Sequence, residues 1–351
     1  MENNNETLVG LLSHYSPTGS VKNAADFLVQ KMEMIGFDKS TTDSIGNVIG
    51  IKGNGPNQIV MLGHIDTVPG EIQVYQEGDV LYGRGAVDAK GSLAAFTDAI
   101  AAVSIHSDWQ VIVIGAMDEE GESNGARFIC DQYQPKFVII GEPSQWNRIT
   151  LGYKGVQNSI LSVQKSKTHS SIGKSSCDIL LENWQQLRFQ VNQFNDGKSM
   201  FDQILASVVK MDGKAEDFEM EAEMVISTRL PESITPKIWV NDWLGKMQDV
   251  QVSTSNPGIP AFKADKNSTL ARAFLGAIRS GGGLPGFVNK SGTSDMNIVM
   301  PKWQCPVVAY GPGDSTLDHT PNEHINIREY WQAVDILKTV LIRLGVGSLL
   351  Q

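Results

Sequence analysis

Four short apolar runs, at 48–51, 59–62, 111–114 and 137–140, limit the folds open to this chain more than any other feature. Each is rich in β-branched residues, too short for a helix and bounded by glycine, proline or charge, so each reads as a buried strand. Between the second and third lies an alanine-rich segment, 92–103, which the sequence predicts to be helical. Strands and helices in this order build an α/β sheet. His64 and Asp66 follow the second run, Asp118-Glu119-Glu120 the third and Glu142 the fourth. Loops beyond the carboxyl ends of such strands converge on a crevice, so these segments point at one site.

The texture changes in the middle of the chain. Leu8, Leu11 and Leu12, then Ala24, Phe27, Leu28 and Met32, have the spacing of opening helices that end at Gly36. From 156 to 262 the predicted order is strand (156–164), helix (177–191), strand (203–211), strand (218–230), helix (236–247), strand (250–254). That is the split βαβ pattern of a ferredoxin-like α+β sandwich. A helix at 269–279, a strand at 306–310 and a helix at 328–344 then restore the α/β texture. The expectation is a discontinuous α/β domain, 1–155 with 263–351, carrying an inserted domain over 156–262.

With 351 residues the chain is long enough for two cores. No apolar run reaches bilayer length and the first residues lack a secretory pattern, so a cytoplasmic protein with no membrane partner is expected. A formal net charge of −10 argues against a nucleic-acid partner. Cys130, Cys177 and Cys305 are too widely spaced for a Cys-x-x-Cys zinc motif and odd in number, which favours free, buried thiols.

His64 and Asp66 are two apart, so on extended chain they face the same way and the carboxylate can fix the imidazole's tautomer. A hydrogen-bonded turn histidine would look the same. Asp88 precedes the predicted helix and suits an N-cap, but the neighbouring Gly83, Arg84, Gly85 and Gly91 suit close approach of backbone to a site. A carboxylate placed there can bridge two cations. Adjacent Glu119 and Glu120 repel unless something positive neutralises them, with a solvated acidic loop as the plainer alternative. On a metal reading Glu120 ligates and Glu119 takes a proton from the water; Glu142, stiffened by Pro143, ligates the other ion. In Asp318-His319-Thr320-Pro321-Asn322-Glu323-His324 either histidine could complete the site, with His319 preferred because it ends the preceding loop.

In this order, Gly63-His64-Ile65-Asp66-Thr67-Val68, Gly83-Arg84-Gly85 with Asp88-Ala89-Lys90-Gly91, Asp118-Glu119-Glu120-Gly121, Gly141-Glu142-Pro143 and His319 resemble the M20 family of metallopeptidases and amidohydrolases. The resemblance implies a di-metal aminopeptidase-like catalytic domain holding two Zn2+ or Co2+ ions. His64 and Glu142 would hold one ion and Glu120 and His319 the other, with Asp88 bridging, Asp66 orienting and Glu119 as general base. Lys167-Thr168-His169-Ser170-Ser171 resembles the family's lid segment, whose histidine, here His169, helps stabilise the oxyanion, in some relatives across a homodimer. The usual Ser-Pro-Ser-Gly-Glu-Glu appears as Ser16-Pro17-Thr18-Gly19-Ser20-Val21, without its acidic pair.

Three further segments are similar to the branch that acts on LysW-linked lysine or ornithine: Leu151-Gly152-Tyr153-Lys154-Gly155, Ser291-Gly292-Thr293-Ser294-Asp295-Met296-Asn297 and Tyr310-Gly311-Pro312-Gly313-Asp314. That likeness implies hydrolysis of a linear amide to an acidic carrier protein in lysine or arginine biosynthesis. Acetylornithine or acetyl-lysine deacetylases and dipeptidases share the metal site, and a non-catalytic relative would be marked by a missing ligand or base. Gly292, Thr293 and Ser294 could offer donors to a substrate carboxylate, although a plain turn explains them nearly as well. Lys154, Arg229 and Lys290 are candidate carboxylate-holding cations, with a solvated charge as the plainer reading of each.

Overall fold

A computed structural model describes residues 5–169, 171 and 173–350. The chain divides into two compact units: Met1–Gly152 with Ala264–Val288 and Ile298–Gln351, and Tyr153–Lys263 with Asn289–Asn297.

In the first unit a mixed sheet runs in the order Lys39–Thr42, Val48–Gly53, Trp109–Ala116, Asn57–His64, Phe137–Gly141, Val307–Ala309, Arg148–Tyr153. The middle four strands are parallel and the flanking pairs antiparallel. The four apolar runs all lie in this sheet, and the parallel strands place His64 at, and Glu119, Glu120 and Glu142 beyond, their carboxyl ends. The helix Lys90–Ala101 packs on the strand Asn57–His64 and against the helix Ile327–Arg343. Its Leu93, Phe96 and Ile100 are fully buried, which contributes roughly 1.5–3 kcal/mol each. Gly141 permits the close fit, because a Cβ there would stand 2.9 Å from the Phe96 ring and 3.0 Å from Gly63 Cα.

This helix ends two residues before the predicted 103, because Val103–Ile105 is extended to pair with Gly347–Leu349. A smaller three-stranded sheet joins His324–Asn326, Val80–Tyr82 and Tyr75–Glu77, with His324 opposite Tyr82. It carries the C-terminal segment to the glycine-rich loop 83–88.

The second unit has four antiparallel strands in the order Leu205–Glu216, Glu219–Leu230, Gly155–Ser166, Gln251–Ser253, the ferredoxin-like arrangement. Its long helix, Ser176–Asn195, starts with a capping box between Ser175 and Asp178. Leu161, Leu180, Leu187, Met224, Ile226 and Trp239 form the core beneath it. The predicted helix at 236–247 is instead three short turns. It widens over Trp239–Trp243, where two indole rings lie 5.5 Å apart and Trp239 is wholly buried. Asn289–Asn297 packs with this unit: the Asn297 amide donates to the carbonyls of Tyr153, Lys154 and Pro260, and Lys154 N–H to Lys290 O. Among the described residues no helix is long and apolar enough to cross a membrane.

Candidate metal centre

Five ligand-type side chains from five separate segments meet in the first unit. His64, Asp88 and Glu142 form one group and Asp88, Glu120 and His319 a second, the ligand atoms of each lying within 4.8 Å of one another. Asp88 belongs to both: Oδ1 lies 3.2 Å from His64 Nε2 and Oδ2 3.1 Å from His319 Nε2. His319 Nε2 is also 3.2 Å from Glu120 Oε1. The helix after Asp88 has Ala89 as its N-cap residue and no side-chain cap, so Asp88 is not spent on capping.

His64 ends its strand and is buried, with Nδ1 2.9 Å from the main-chain carbonyl of Asp66 and 3.7 Å from the Asp66 carboxylate. The shorter contact is a hydrogen bond and the longer one is not. The Asp66 carboxylate, wholly buried, accepts instead from Glu119 N–H at 3.1 Å, Glu120 N–H at 3.3 Å and the Thr18 hydroxyl at 2.8 Å. It thereby holds the loop that carries both glutamates. The Ser16 hydroxyl donates to Ile65 O at 2.7 Å, so the Ser-Pro-Thr segment braces the same turn without its usual acidic pair. Asp118 takes the left-handed conformation (φ 66°), one that aspartate tolerates, and closes the loop by accepting from Asn124 Nδ2 at 2.6 Å.

The charges respond to this crowding. Burial opposes ionisation of His64, but Asp66, Asp88 and Glu119 outweigh it and hold its pKa well above the ordinary value. Burial, reinforced by Asp88, raises the pKa of Glu120. The Asp88 hydrogen bond lifts His319 to about 9 against partial burial, with Glu120 adding to the rise. For metal-free protein the sign follows: the His319 pairing stabilises the fold fully below the ordinary pKa of 6.5, and that stabilisation is lost as pH rises through about 9. Thermal unfolding of chelator-treated protein from about pH 6 to about pH 10 should show this fall, and His319→Gln should remove its share. An identical slope in the variant would refute the pairing.

The donor set suits divalent cations. Each group offers one imidazole, one carboxylate of its own and a share of Asp88, nitrogen and oxygen donors of the kind borderline divalent metals take. Carboxylates packed this closely without a cation repel one another, and Asp88 adds in this way to the burial that raises the pKa of Glu120.

The other histidines of this unit have local partners. His324 Nδ1 lies 2.6 Å from Asn322 O and its ring 4.9 Å from that of Tyr82; His14 stacks on Phe27, and His106 Nδ1 lies 3.2 Å from Gly345 O. Sequence reasoning missed a pairing beside the site. Glu323, wholly buried, accepts from Arg84 Nη1 at 2.8 Å. The signal available was an arginine between glycines, which calls for a carboxylate without saying where it lies. Lys90, also buried, donates to the carbonyls of Leu11 and His14 and has its pKa lowered to about 7 by burial, opposed by Glu323 and Asp66.

The remaining sequence candidates belong to the second unit. His169 is exposed, with Nδ1 2.7 Å from Ser171 Oγ; Ser170, quoted with it in the motif, lies outside the described residues. Arg229 is half-buried, which lowers its pKa; it donates to Thr293 Oγ1 at 3.1 Å and has no carboxylate partner among the described residues. Gly292 has open space around it, and Lys290 is half-buried. Ser294 Oγ accepts from Met296 N–H at 3.2 Å, a turn contact. Lys154 is fully buried and gives its ammonium to the carbonyls of Met200, Phe201 and Gln203. Those three acceptors use the three donors of a lysine, and burial lowers its pKa to about 8.

A parallel-centred α/β unit whose strand ends gather two imidazole–carboxylate groups around one shared aspartate has the framework of a metal-dependent hydrolase. The profile of peptidase family M20/M25/M40 matches residues 60–343. This chain belongs to that family, whose members use divalent metal ions. It is 42% identical over 335 residues, 95% of its length and 92% of the other's, to a protein of Pyrococcus abyssi named putative [LysW]-lysine/[LysW]-ornithine hydrolase. It is 39% identical over 345 residues, 95% and 94% of the two chains, to the [LysW]-lysine hydrolase of Deinococcus radiodurans. Among solved structures, an M20 family metallo-carboxypeptidase of Sulfolobus solfataricus shares the fold, with a TM-score of 0.73, 18% identity and coverage of 97% and 99%.

Proposed function

We propose that this chain releases lysine or ornithine from an acidic, LysW-like carrier protein, cleaving the amide between the amino acid's α-amino group and the γ-carboxyl of the carrier's C-terminal glutamate. The observation that carries this reading is the 42% identity, over 95% of the chain, to a relative named for that substrate. The five-residue donor set supports it, because it suits a pair of divalent ions, Zn2+ or Co2+. His64 and Glu142 would hold one ion and Glu120 and His319 the other, with Asp88 between them. When bound, such ions supply Lewis acidity toward the scissile carbonyl and acidify the attacking water.

The chain's own residues divide the remaining work. Glu119 accepts the proton of the attacking water as the new C–O bond forms, and passes it to the departing α-amino nitrogen as the C–N bond breaks. Asp66 keeps Glu119 and Glu120 in place through their N–H groups. His169 donates to the developing oxyanion, a role worth roughly 3–4 kcal/mol. Arg229, desolvated and, among the described residues, without a carboxylate partner, holds a substrate or carrier carboxylate with Thr293, Gly292 and Lys290; Ser294 shapes the turn. Lys154, already committed to three carbonyls, has no place in this set. The inserted unit is read as a lid and a homodimer surface, and the enzyme as cytoplasmic.

The test is turnover by metal-loaded protein of carrier-linked lysine and ornithine beside N-acetylornithine, N-acetyl-lysine and dipeptides. The carrier-linked amides should be preferred in kcat/KM by at least about 10²-fold. Preference for an acetylated amino acid or a dipeptide would replace the substrate assignment, and inertness toward all of them at full metal content would mark a non-catalytic relative.

A further inference from the structure

The glycine-rich loop that delivers Asp88 has no regular structure to fix it. It leaves the short strand at Tyr82 and enters the helix at Lys90, and Gly85 within it has φ +87°. What it has is Glu323, brought alongside by the pairing of His324 with Tyr82. Glu323 Oε2 accepts from Arg84 Nη1 at 2.8 Å and Gly85 N–H at 3.1 Å, while Oε1 accepts from Val87 N–H at 2.9 Å and Asp88 N–H at 3.0 Å. Arg84 Nε donates onward to Gly70 O at 2.8 Å, on the loop that follows His64 and Asp66. Carboxylate and guanidinium are both buried, at 0% and 6% exposure, so neither is a surface charge with freedom to move.

We propose that Glu323 is a positioning residue of the metal centre, acting with Arg84 to set the backbone of Asp88 against the loop bearing His64; this rests on the metal-centre reading above. Four donors converge on two oxygens, and one donor is the N–H of the shared aspartate itself. Only an acceptor-only group satisfies all four. A glutamine would turn an NH2 toward two of them, leaving buried donors unpaired and Arg84 without its counter-charge. Outer partners that orient metal ligands work in this way, and their loss typically costs 10- to 100-fold in metal affinity. An ordinary buried ion pair would instead support the fold without regard to the metal.

Asp98 provides the control. Its carboxylate is half-buried in the same unit and accepts from the Thr7 and Tyr330 hydroxyls at 2.5 Å each, but it belongs to neither ligand group. Zn2+ is titrated calorimetrically into metal-free wild type, Glu323→Gln and Asp98→Asn, and thermal unfolding of each metal-free protein is recorded. Both variants should unfold at lower temperature. Glu323→Gln alone should bind Zn2+ about 10- to 100-fold more weakly, and excess metal should restore part of its kcat. Equal affinity in Glu323→Gln and wild type, or equal losses in the two variants, would overturn the positioning role. Should Glu323→Gln not fold, Arg84→Lys, which keeps the charge but not the fork to Gly70, is read by the same titration, with wild-type affinity again counting against the role. Failure of wild type itself to take up the ion would strike the metal-centre reading, not this inference.

Discussion

Glu119→Gln should keep the full metal complement of the protein and lose turnover by about 10²- to 10⁴-fold, the usual contribution of a general base. The separation of the two effects follows from the geometry. Glu119 belongs to neither ligand group, whereas its neighbour Glu120 sits with Asp88 and His319. The main chain that carries both is fixed through Glu119 N–H and Glu120 N–H to Asp66, contacts a glutamine side chain leaves intact. Metal content by elemental analysis and single-turnover rates on the carrier-linked amide check the two halves independently. Full metal with an unchanged rate would remove Glu119 from the chemistry, and lost metal would move it among the ligands.

Asp88→Asn is expected to be as severe for the opposite reason. Asp88 is the one residue common to both groups, so neutralising it takes a charge from each and leaves one imidazole and one carboxylate on either side. Affinity for both ions should fall by at least about 10²-fold, the upper end of what loss of an outer partner costs. Glu142→Gln, confined to a single group, should weaken one site and leave the other titrating near its wild-type affinity. Loss of a single ion in Asp88→Asn would show that the aspartate serves one group alone.

Much of this arrangement was legible because strand ends are legible. Short β-branched runs bounded by glycine mark buried parallel strands, and the polar residues that follow them have one place to go. That logic placed His64, Glu119, Glu120 and Glu142 at one edge of the sheet. The βαββαβ order of the inserted segment was equally plain from alternation, although the Trp239–Trp243 stretch was not: hydrophobic periodicity does not distinguish a wide helical turn from an ordinary one. Asp88 could be read as a helix cap until the structure put the cap at Ala89 and the carboxylate between two imidazoles.

The candidates in weaker motifs fared unevenly because lysine and arginine carry no mark of their partners in sequence. Lys154 and Arg229 look alike as isolated cations. Among the described residues one has three carbonyls around its ammonium and the other a single threonine hydroxyl. Glu323 was indistinguishable from a solvated residue before a helix, although it is wholly buried and accepts four hydrogen bonds from the loop of Asp88.

By itself the sequence determined the α/β framework, the inserted sandwich and which side chains stand at the strand ends, since hydrophobic period and chain order specify these locally. Only the tertiary structure decided which carboxylate is shared, which oxygen meets which ring, and that a residue 235 positions away from Asp88 holds its backbone. Those are matters of distance between segments remote in the chain, set by strand pairing and packing that leave no periodic trace in either partner.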